Sequence, residues 1–224
     1  MTGKHIIVGV AGSIAAYKAV LLVRQLVKEG AEVSVVMTDA AREFVAPITF
    51  SSVSGNRVWC SMFEERRDRA PRHIWLAQEA DLLLIAPATA NIIGKIANGI
   101  ADDLLSTLHL ALNKNTRLFL YPSMNEKMLF HPATIHNLKV LAYRGWDIQT
   151  PIHGKLACGD LALGKLPKPR SIVEYVYASI IGEKVEGKPM FRERNVHETF
   201  ADYLNDPSHE MLLSVNKMTD NGIR

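Results

Sequence analysis

The chain lacks several features that mark particular classes of protein. Its 224 residues include only two cysteines, Cys60 and Cys158, without the paired spacing of a metal site or a disulfide framework. No apolar run approaches the roughly 18 residues of a membrane-spanning helix, and the first residues lack the basic and apolar regions of an export signal. The formal net charge is only +3, and the basic residues are scattered. We therefore expect a cytoplasmic protein with reduced thiols, no bound metal, and neither membrane nor nucleic acid as a partner.

The sequence does contain a regular alternation of strand and helix patterns. Residues 4–10 predict a strand, 14–28 a helix that ends at Gly30, and 32–37 a second strand. A strand–helix–strand unit of this length predicts a right-handed parallel crossover. Further strands are predicted at 82–86, 116–121 and 146–149, and further helices at 132–144 and 172–181. We therefore predict an α/β fold with an open, mostly parallel, doubly wound (Rossmann or flavodoxin-like) sheet and helices on both faces.

Two parts of the chain depart from this alternation. Residues 154–169 are rich in glycine and proline, which predicts a loop or flap. Residues 182–224 are charged and carry no strand pattern, although short helices near 196–204 and 208–215 are compatible with them. We predict one domain over residues 1–181 and a polar C-terminal extension over residues 182–224, for which the sequence indicates no role.

The stretch from Asp81 to Thr107 is the most informative segment. Its buried strand ends at Pro87, and the following loop offers small side chains together with the polar tips of Thr89 and Asn91. Helix patterns follow, with Asn91 and Asp102 as plausible N-caps. A strand that delivers a polar loop to helix N-termini forms ligand sites at the carboxyl edge of an open sheet. The alternative is a plain connection between strand and helix.

Two hydroxyl groups occupy similar positions after the first two strands. Residues 9–13 (GVAGS) are not a G-x-G-x-x-G fingerprint, and the second strand does not end in the acidic residue that binds a ribose, which argues against a nicotinamide dehydrogenase. Ser13 and Thr38 instead follow adjacent strands, each near a helix N-terminus. This arrangement suits the terminal phosphate of a mononucleotide. The alternative is that both residues are simple N-caps.

The sequence predicts different roles for the two cysteines and for one histidine. Cys158 lies on a loop bounded by glycines, where an exposed and reactive thiol is favoured. Cys60 is more typical of a buried, inert side chain. His73 begins a short amphipathic helix, and from the sequence alone it is interpreted as a surface or capping residue.

Several sequence blocks, taken together and in order, resemble the flavoprotein family of cysteine decarboxylases. The resemblance covers roughly residues 4–181, and the conjunction of the blocks is highly specific. The blocks are AGSIAAYKA (11–19), HIWLA (73–77), ADLLLIAPATANIIGKIANGIADDLLST (80–107), PSMNEKM (122–128), HPATIHN (131–137) and LACGD (156–160).

The resemblance implies flavin mononucleotide (FMN) as the cofactor. It assigns the FMN phosphate to Gly12, Ser13 and Thr38. The rest of the flavin pocket is assigned to Pro87, Ala88, Thr89, Asn91, Ser106 and Thr107. Such sites lie between subunits in this family, so a homotrimer or a trimer-based dodecamer is implied.

The resemblance also implies the chemistry. His73, Asn125 and Cys158 match the family's catalytic positions, and Met124, Ala157 and Lys165, with Asn125, match its substrate-binding positions. The implied reaction is the oxidative decarboxylation of 4′-phospho-N-pantothenoylcysteine to 4′-phosphopantetheine in coenzyme A biosynthesis. The thiol is oxidised to a thioaldehyde, CO₂ is lost, and the enethiol is reduced again.

Alternatives arise where the chain departs from the family pattern. Leu129 replaces a frequent aromatic residue, Ser123 replaces alanine, and Lys165 keeps a positive charge but loses the guanidinium fork that grips a phosphate. The alternative substrate is a peptide with a C-terminal cysteine, which would be converted to an enethiol. Those relatives usually lack the flap cysteine, so Cys158 favours the phosphorylated substrate. A non-catalytic regulatory subunit is the third reading, and the complete catalytic set disfavours it.

Overall fold

Six parallel strands form the centre of the fold in the order β3-β2-β1-β4-β5-β6. A computed structural model describes residues 1–63, 72–157, 159–181 and 190. The strands are β1 (His5–Val10), β2 (Glu32–Met37), β3 (Val58–Trp59), β4 (Leu82–Ala88), β5 (Arg117–Pro122) and β6 (Asp147–Ile148). The direction in which successive strands are added reverses between β1 and β4, and this switch point opens a crevice at the carboxyl edge. The predicted fold class is confirmed.

Helices cover both faces of this sheet. They are α1 (Ala16–Lys28), α2 (Asp39–Arg42), α3 (Pro47–Ser54), α4 (Arg72–Glu79), α5 (Ala90–Asn98), α6 (Leu104–Leu110), α7 (Glu126–Leu129), α8 (Pro132–Tyr143) and α9 (Pro169–Ile181). Alternating residues of β1 point to opposite faces. Ile6 and Val8 pack in the core beneath α1 and α9, whereas Ile7 packs in the core beneath α4, α5, α6 and α8. Both faces of the sheet are therefore buried, as a parallel sheet requires.

The structure corrects several predicted boundaries. Helix α1 begins at Ala16, and β4 continues through Pro87 to Ala88. The N-caps are Thr89 and Asp103 rather than Asn91 and Asp102. Asp103 is the cap because its carboxylate accepts the backbone N–H of Ser106 at 2.8 Å in a capping box. The neighbouring Asp102 is not the cap, and its carboxylate forms an ion pair with a lysine of α5.

The segment predicted to be a loop or flap contains two short antiparallel strands, β7 (Ile152–Lys155) and β8 (Leu161–Lys165). Their glycines and charged residues conceal the strand pattern. Met190, from the predicted extension, is buried and donates its N–H to the carbonyl of Ile148 in β6 at 2.6 Å. The helices considered near 196–204 and 208–215 lie outside the described residues.

Three side chains hold the C-terminal end of α4. The Asn113 amide donates to the carbonyl of Gln78 at 3.2 Å, and the Thr116 hydroxyl donates to that of Ala80 at 3.1 Å. His5 Nδ1 lies 3.1 Å from the carbonyl oxygen of Glu79. Because a carbonyl oxygen can only accept a hydrogen bond, Nδ1 is the donor of this pair. These contacts satisfy carbonyls that a helix end leaves unpaired.

We expect Thr116→Val to lower the free energy of unfolding by about 1–3 kcal/mol, because it leaves the buried Ala80 carbonyl without this donor. Urea unfolding measures the change. Thr49→Val is the control, since Thr49 is exposed on α3. Equal stability of the two variants would contradict a role for the buried hydrogen bond.

Among the described residues, no helix has both the length and the apolar character needed to cross a membrane. Within the same residues, no group of three or more His, Cys, Asp or Glu side chains is arranged to hold a metal ion.

Candidate active site

The carboxyl ends of the central strands enclose a cavity of about 620 Å³, which we call the first cavity. It lies at the switch point between β1 and β4, where an open α/β sheet places its ligands. Its walls come from the loops after β1, β2, β4 and β5. The lining residues used below are Gly12, Ser13, Thr38, Thr89, Asn91 and Lys95, with Asp102 and Asp103.

Three hydroxyl groups that line the first cavity also accept backbone N–H groups. Those of Thr38 and Thr89 are helix N-caps, whereas Ser13 lies in the turn before α1, whose N-cap is Ala15. Ser13 Oγ accepts the N–H of Ala15 at 3.3 Å, and Thr38 Oγ1 accepts the N–H of Ala41 at 3.3 Å. Thr89 Oγ1 accepts from the start of α5 at 3.5 Å. A hydroxyl that accepts through a lone pair still carries its own donor. The N-cap interpretation is therefore confirmed for Thr38 and wrong for Ser13, and both hydroxyls can still donate to a ligand.

Gly12 allows two loops to meet beside the first cavity. A Cβ atom at Gly12 would lie 2.4 Å from Ala40 Cβ and 2.9 Å from the Ala40 carbonyl carbon, closer than real Cβ contacts. The turn after β1 can therefore pack against the start of α2 only because this position has no side chain. The contact brings Ser13 and Thr38 to one wall of the cavity.

An ion-pair cluster forms another wall of the first cavity. Lys95 Nζ lies 2.7 Å from Asp102 and 2.8 Å from Asp103. Burial alone would lower the pKa of Lys95, but the hydrogen bonds to the two carboxylates raise it above its usual value. Burial would likewise raise the pKa of Asp103, and the bonds from Lys95 and Ser106 lower it instead. Lys95 therefore stays protonated, and its positive charge is balanced by the carboxylates beside it.

A second cavity of about 570 Å³ adjoins the first and shares Ser13, Ser123 and Met124 with it. Its lining adds Asn125 and residues of the β7–β8 hairpin. Asn125 Oδ1 accepts the N–H of Lys127 at 2.9 Å as the N-cap of α7, which fixes the direction of the amide. A molecule in the second cavity would therefore lie next to a molecule in the first.

Two hydrogen bonds attach the hairpin to the loop that follows β5 and to the start of α7. The N–H of Met124 donates to the carbonyl of Gly164 at 3.1 Å. The N–H of Leu163 donates to Glu126 Oε1 at 3.0 Å. The hairpin thus forms a wall of the second cavity, which is the position expected of a flap.

The structure brings most of the predicted site residues together. Gly12, Ser13, Thr38, Thr89 and Asn91 line the first cavity. Met124, Asn125, Ala157 and Lys165 line the second cavity. Cys158 lies outside the described residues, between Ala157 and Gly159 of the hairpin connection.

The remaining predicted residues are placed differently. Pro87 and Ala88 are buried in β4, and their carbonyls accept the N–H groups of Ala11 at 3.2 Å and Ser123 at 2.9 Å. Ser106 is 1% exposed within its capping box. Neither Thr107, which contacts Met62 Sδ at 3.2 Å, nor His73 on α4 lines either cavity.

Reasoning from the sequence missed the Lys95 cluster and two further lysines of the second cavity, Lys18 and Lys155. The available signal was weak. Lys18 lies on α1 and Lys155 on β7, so only the tertiary fold brings them together. Lys95 lies on α5, and its two carboxylates lie in the connection between α5 and α6.

Comparison with known proteins identifies the class to which this fold and site belong. The family model described as Flavoprotein matches residues 1–181. The chain is 45% identical over 172 residues to the coenzyme A biosynthesis bifunctional protein CoaBC of Haemophilus influenzae, covering 77% of this chain and 42% of that protein. It is 41% identical over 191 residues to CoaBC of Bacillus subtilis, covering 84% of this chain and 47% of that protein. The chain therefore spans less than half the length of these relatives.

Solved structures agree with this class. A PPC decarboxylase mutant complexed with pantothenoylaminoethenethiol is 31% identical, with a TM-score of 0.71 over 80% of this chain and 98% of that one. The FMN binding protein AtHal3 is 30% identical, with a TM-score of 0.69 over 81% of this chain and 99% of that one. The chain belongs to the flavoprotein family.

Proposed function

We propose that the chain is an FMN-dependent carboxy-lyase that converts 4′-phospho-N-pantothenoylcysteine into 4′-phosphopantetheine in coenzyme A biosynthesis. The proposal depends chiefly on the two adjoining cavities, which share Ser13, Ser123 and Met124. This arrangement lets a cofactor and a substrate lie in contact. The bifunctional coenzyme A relatives and the PPC decarboxylase structure support this choice of substrate.

The residues of the first cavity fit FMN. The cavity is lined by the hydroxyls of Ser13, Thr38 and Thr89 and by the Asn91 amide. These neutral groups can donate hydrogen bonds to the oxygens of a phosphate and to the acceptor atoms of a flavin ring. Thr38 is the N-cap of α2 and Ser13 lies in the turn that leads into α1, and backbone N–H groups at such positions favour an anion. When bound, FMN supplies the two-electron oxidation and reduction that amino-acid side chains do not provide. Ser13 and Thr38, beside Gly12, would hold its phosphate.

Asn125 would orient the substrate carboxylate in the second cavity. Its oxygen is committed to the Lys127 N–H, so the amide direction is fixed before substrate arrives. The neutral NH₂ group of an amide can donate a hydrogen bond to the substrate carboxylate. Because the amide carries no charge, it does not bind too strongly the group that must leave as CO₂. Met124, Ala157 and Lys165 line the same cavity and would hold the rest of the substrate.

The reaction needs a proton after CO₂ has left. Oxidation of the substrate thiol to a thioaldehyde removes two electrons, and loss of CO₂ then gives an enethiolate instead of an unstabilised carbanion. Cys158 would donate the proton that accompanies reduction of the enethiol. Its preceding residue in the sequence, Ala157, lines the second cavity. The saturated thiol is the product.

The proposal includes an assembly of several copies, as a homotrimer or a trimer-based dodecamer. Its support is that Thr107 and His73, both matched to the family's site and both partly exposed, line neither cavity of a single described chain. In this proposal a neighbouring copy completes the site, and His73 acts there as a base or an orienting group. Light scattering on the flavin-loaded protein would refute this assembly if it found only monomers.

Two further parts of the proposal concern location and extent. We assign the chemistry to residues 1–181 and none of it to residues 182–224; an active chain cut after Ile181 would support this, and an inactive but folded one would oppose it. We place the protein in the cytoplasm, where a thiol such as that of Cys158 stays reduced. Cell fractionation tests the location.

The decisive experiment mixes the purified flavin-loaded protein with 4′-phosphopantothenoylcysteine and measures CO₂ and product mass. We expect Asn125→Asp to reduce kcat/KM on the order of 100-fold or more. Aspartate still caps α7, but its charge faces the substrate carboxylate, and juxtaposed like charges cost several kcal/mol. Asn115→Asp is the matched control, because Asn115 lies in an exposed turn before β5.

The same assay separates the proposal from its main alternative. Cys158→Ser should stop the reaction at the enethiol, two mass units below the wild-type product. CO₂ release from a peptide with a C-terminal cysteine, and none from the phosphorylated substrate, would overturn the coenzyme A assignment and favour a peptide-modifying enzyme. No CO₂ from either substrate would refute the enzyme itself.

A further inference from the structure

Met190, which follows α9 in the chain, lies against the central sheet. Its side chain is only 9% exposed and belongs to the core beneath α4, α5, α6 and α8, as do those of Trp146 and Ile148. Its backbone N–H donates to the carbonyl of Ile148 in β6 at 2.6 Å. The contact therefore combines a backbone hydrogen bond with a buried apolar side chain, which is how a sheet accepts an added segment at its edge.

Strand β6 is the edge to which Met190 is attached. It has only two residues, and it is the last strand in the order of the sheet. On the side of β5, the N–H of Gln149 donates to the carbonyl of Leu120 at 3.0 Å. The other side of an edge strand presents backbone groups that have no strand partner. Met190 supplies a donor to the Ile148 carbonyl of this short strand.

Helix α9 holds β6 from the opposite face of the sheet. The Tyr175 hydroxyl donates to Asp147 Oδ2 at 2.7 Å, and α9 packs in the core that it shares with α1. Asp147 and Ile148 are consecutive strand residues, so their side chains point to opposite faces. Residues that follow the hairpin therefore hold β6 on both faces, through Tyr175 on one and through Met190 on the other.

Strand β6 is also the base from which the β7–β8 hairpin leaves the sheet. Strand β7 begins at Ile152, and only residues 149–151 separate it from β6. Further along, Gly164 and Leu163 attach the hairpin to the loop after β5 and to the start of α7. A two-stranded ribbon is only marginally stable alone, so its position depends on both attachments.

We propose that Met190 is an anchor that holds β6 in place and, through β6, the base of the hairpin. The outer edge of the sheet is then covered by the chain's own segment at residue 190. Met190 is a positioning residue for one wall of the second cavity, although it lines neither cavity. It carries no chemistry, and its loss should make the hairpin open more often without preventing it from closing.

Hydrogen exchange on the purified full chain, read by mass spectrometry, tests this anchor. Met190→Ala keeps the backbone donor but removes most of the buried side chain. We expect peptides that cover residues 147–151 and 161–166 to exchange on the order of tenfold faster or more, because β6 is released more often. A peptide that covers residues 39–45, after β2 near the other edge of the sheet, should keep its rate. A loss of global stability alone would leave the local opening of the hairpin unchanged.

Two variants control for the nature of the contact. Met190→Leu keeps a similar apolar volume, so it should exchange as slowly as the wild type. Ile48→Ala removes an apolar side chain that is 69% exposed on α3, and it should leave all three peptides at their wild-type rates. Thermal unfolding is the second readout, in which Met190→Ala should lower the Tm by about 4–8 °C and Met190→Leu should not.

The outcomes that overturn the anchor are distinct from those that overturn the proposed function. Wild-type exchange over residues 147–151 in Met190→Ala, or equally fast exchange in Met190→Leu or Ile48→Ala, would refute it. Faster exchange over residues 147–151 with an unchanged rate over 161–166 would refute its effect on the hairpin. The anchor requires neither the substrate nor the chemistry, so it would stand if the wild type released no CO₂.

Discussion

Gly164→Ala is expected to abolish most substrate turnover while leaving FMN binding within about threefold of wild type. An alanine Cβ at this position would lie 2.0 Å from the carbonyl oxygen of Met124, and Gly164 has a φ of +141° that only glycine adopts readily. The hairpin would have to leave the loop after β5, breaking the Met124–Gly164 hydrogen bond. A shift of about 1 Å near reacting groups costs on the order of 100-fold in rate. Steady-state CO₂ release measures the loss, and flavin fluorescence measures the FMN affinity.

Gly55→Ala is the control for Gly164→Ala. Gly55 also has a positive φ, +71°, but a Cβ there would meet no atom within 4 Å. It therefore reports the cost of backbone strain without a steric clash. Near-wild-type turnover in Gly164→Ala would mean that the hairpin contact does not define the second cavity, and a matching loss in Gly55→Ala would assign the effect to global stability.

Gly12→Ala is expected to weaken FMN binding on the order of 100-fold or more. The added Cβ would lie 2.4 Å from Ala40 Cβ and would push the start of α2 away from the turn after β1. Ser13 and Thr38 would then no longer lie on one wall, and the phosphate would lose donors from one of the two helix starts. Titration of the apoprotein with FMN, followed by flavin fluorescence, measures the affinity.

Two variants make the Gly12 prediction decisive. Gly94→Ala is the control, because the nearest atom to an added Cβ is Asn137 Nδ2 at 3.6 Å, an ordinary contact. The double variant Gly12→Ala with Ala40→Gly removes the 2.4 Å clash and should recover part of the affinity. The backbone contact with residue 40 at 2.9 Å remains, so recovery is only partial. Wild-type FMN affinity in Gly12→Ala alone would contradict a role of this close approach in binding.

The central sheet was predictable because its sequence signals are local. Strands β1 and β4 are short apolar segments, which indicates burial on both faces. Gly30 follows the end of α1, where the backbone adopts a positive φ that favours glycine. Cap positions were less predictable. Thr89 and Asp103 cap helices because their side chains reach a backbone N–H, and neighbouring Asn91 and Asp102 have equally suitable chemistry but the wrong geometry.

The candidate site was predictable only as far as the carboxyl edge of the sheet determines it. Ser13, Thr38 and Thr89 follow strands that end beside one another, so their convergence follows from the strand order. The lysines of the second cavity meet only after the β7–β8 hairpin has docked, and neither periodicity nor spacing encodes that docking. His73 was matched through the family resemblance alone, and its role stays a prediction.

The two cavities differ in what supports their walls, and this difference affects how fast a ligand leaves each of them. The first cavity rests on the six-stranded sheet. One wall of the second is a two-stranded ribbon, which the hydrogen bonds of Gly164 and Leu163 attach to the loop after β5 and to the start of α7. An isolated pair of strands is only marginally stable, so this wall can open without disturbing the sheet. We therefore expect a ligand of the first cavity to dissociate more slowly than a ligand of the second, so that one stays bound while the other exchanges.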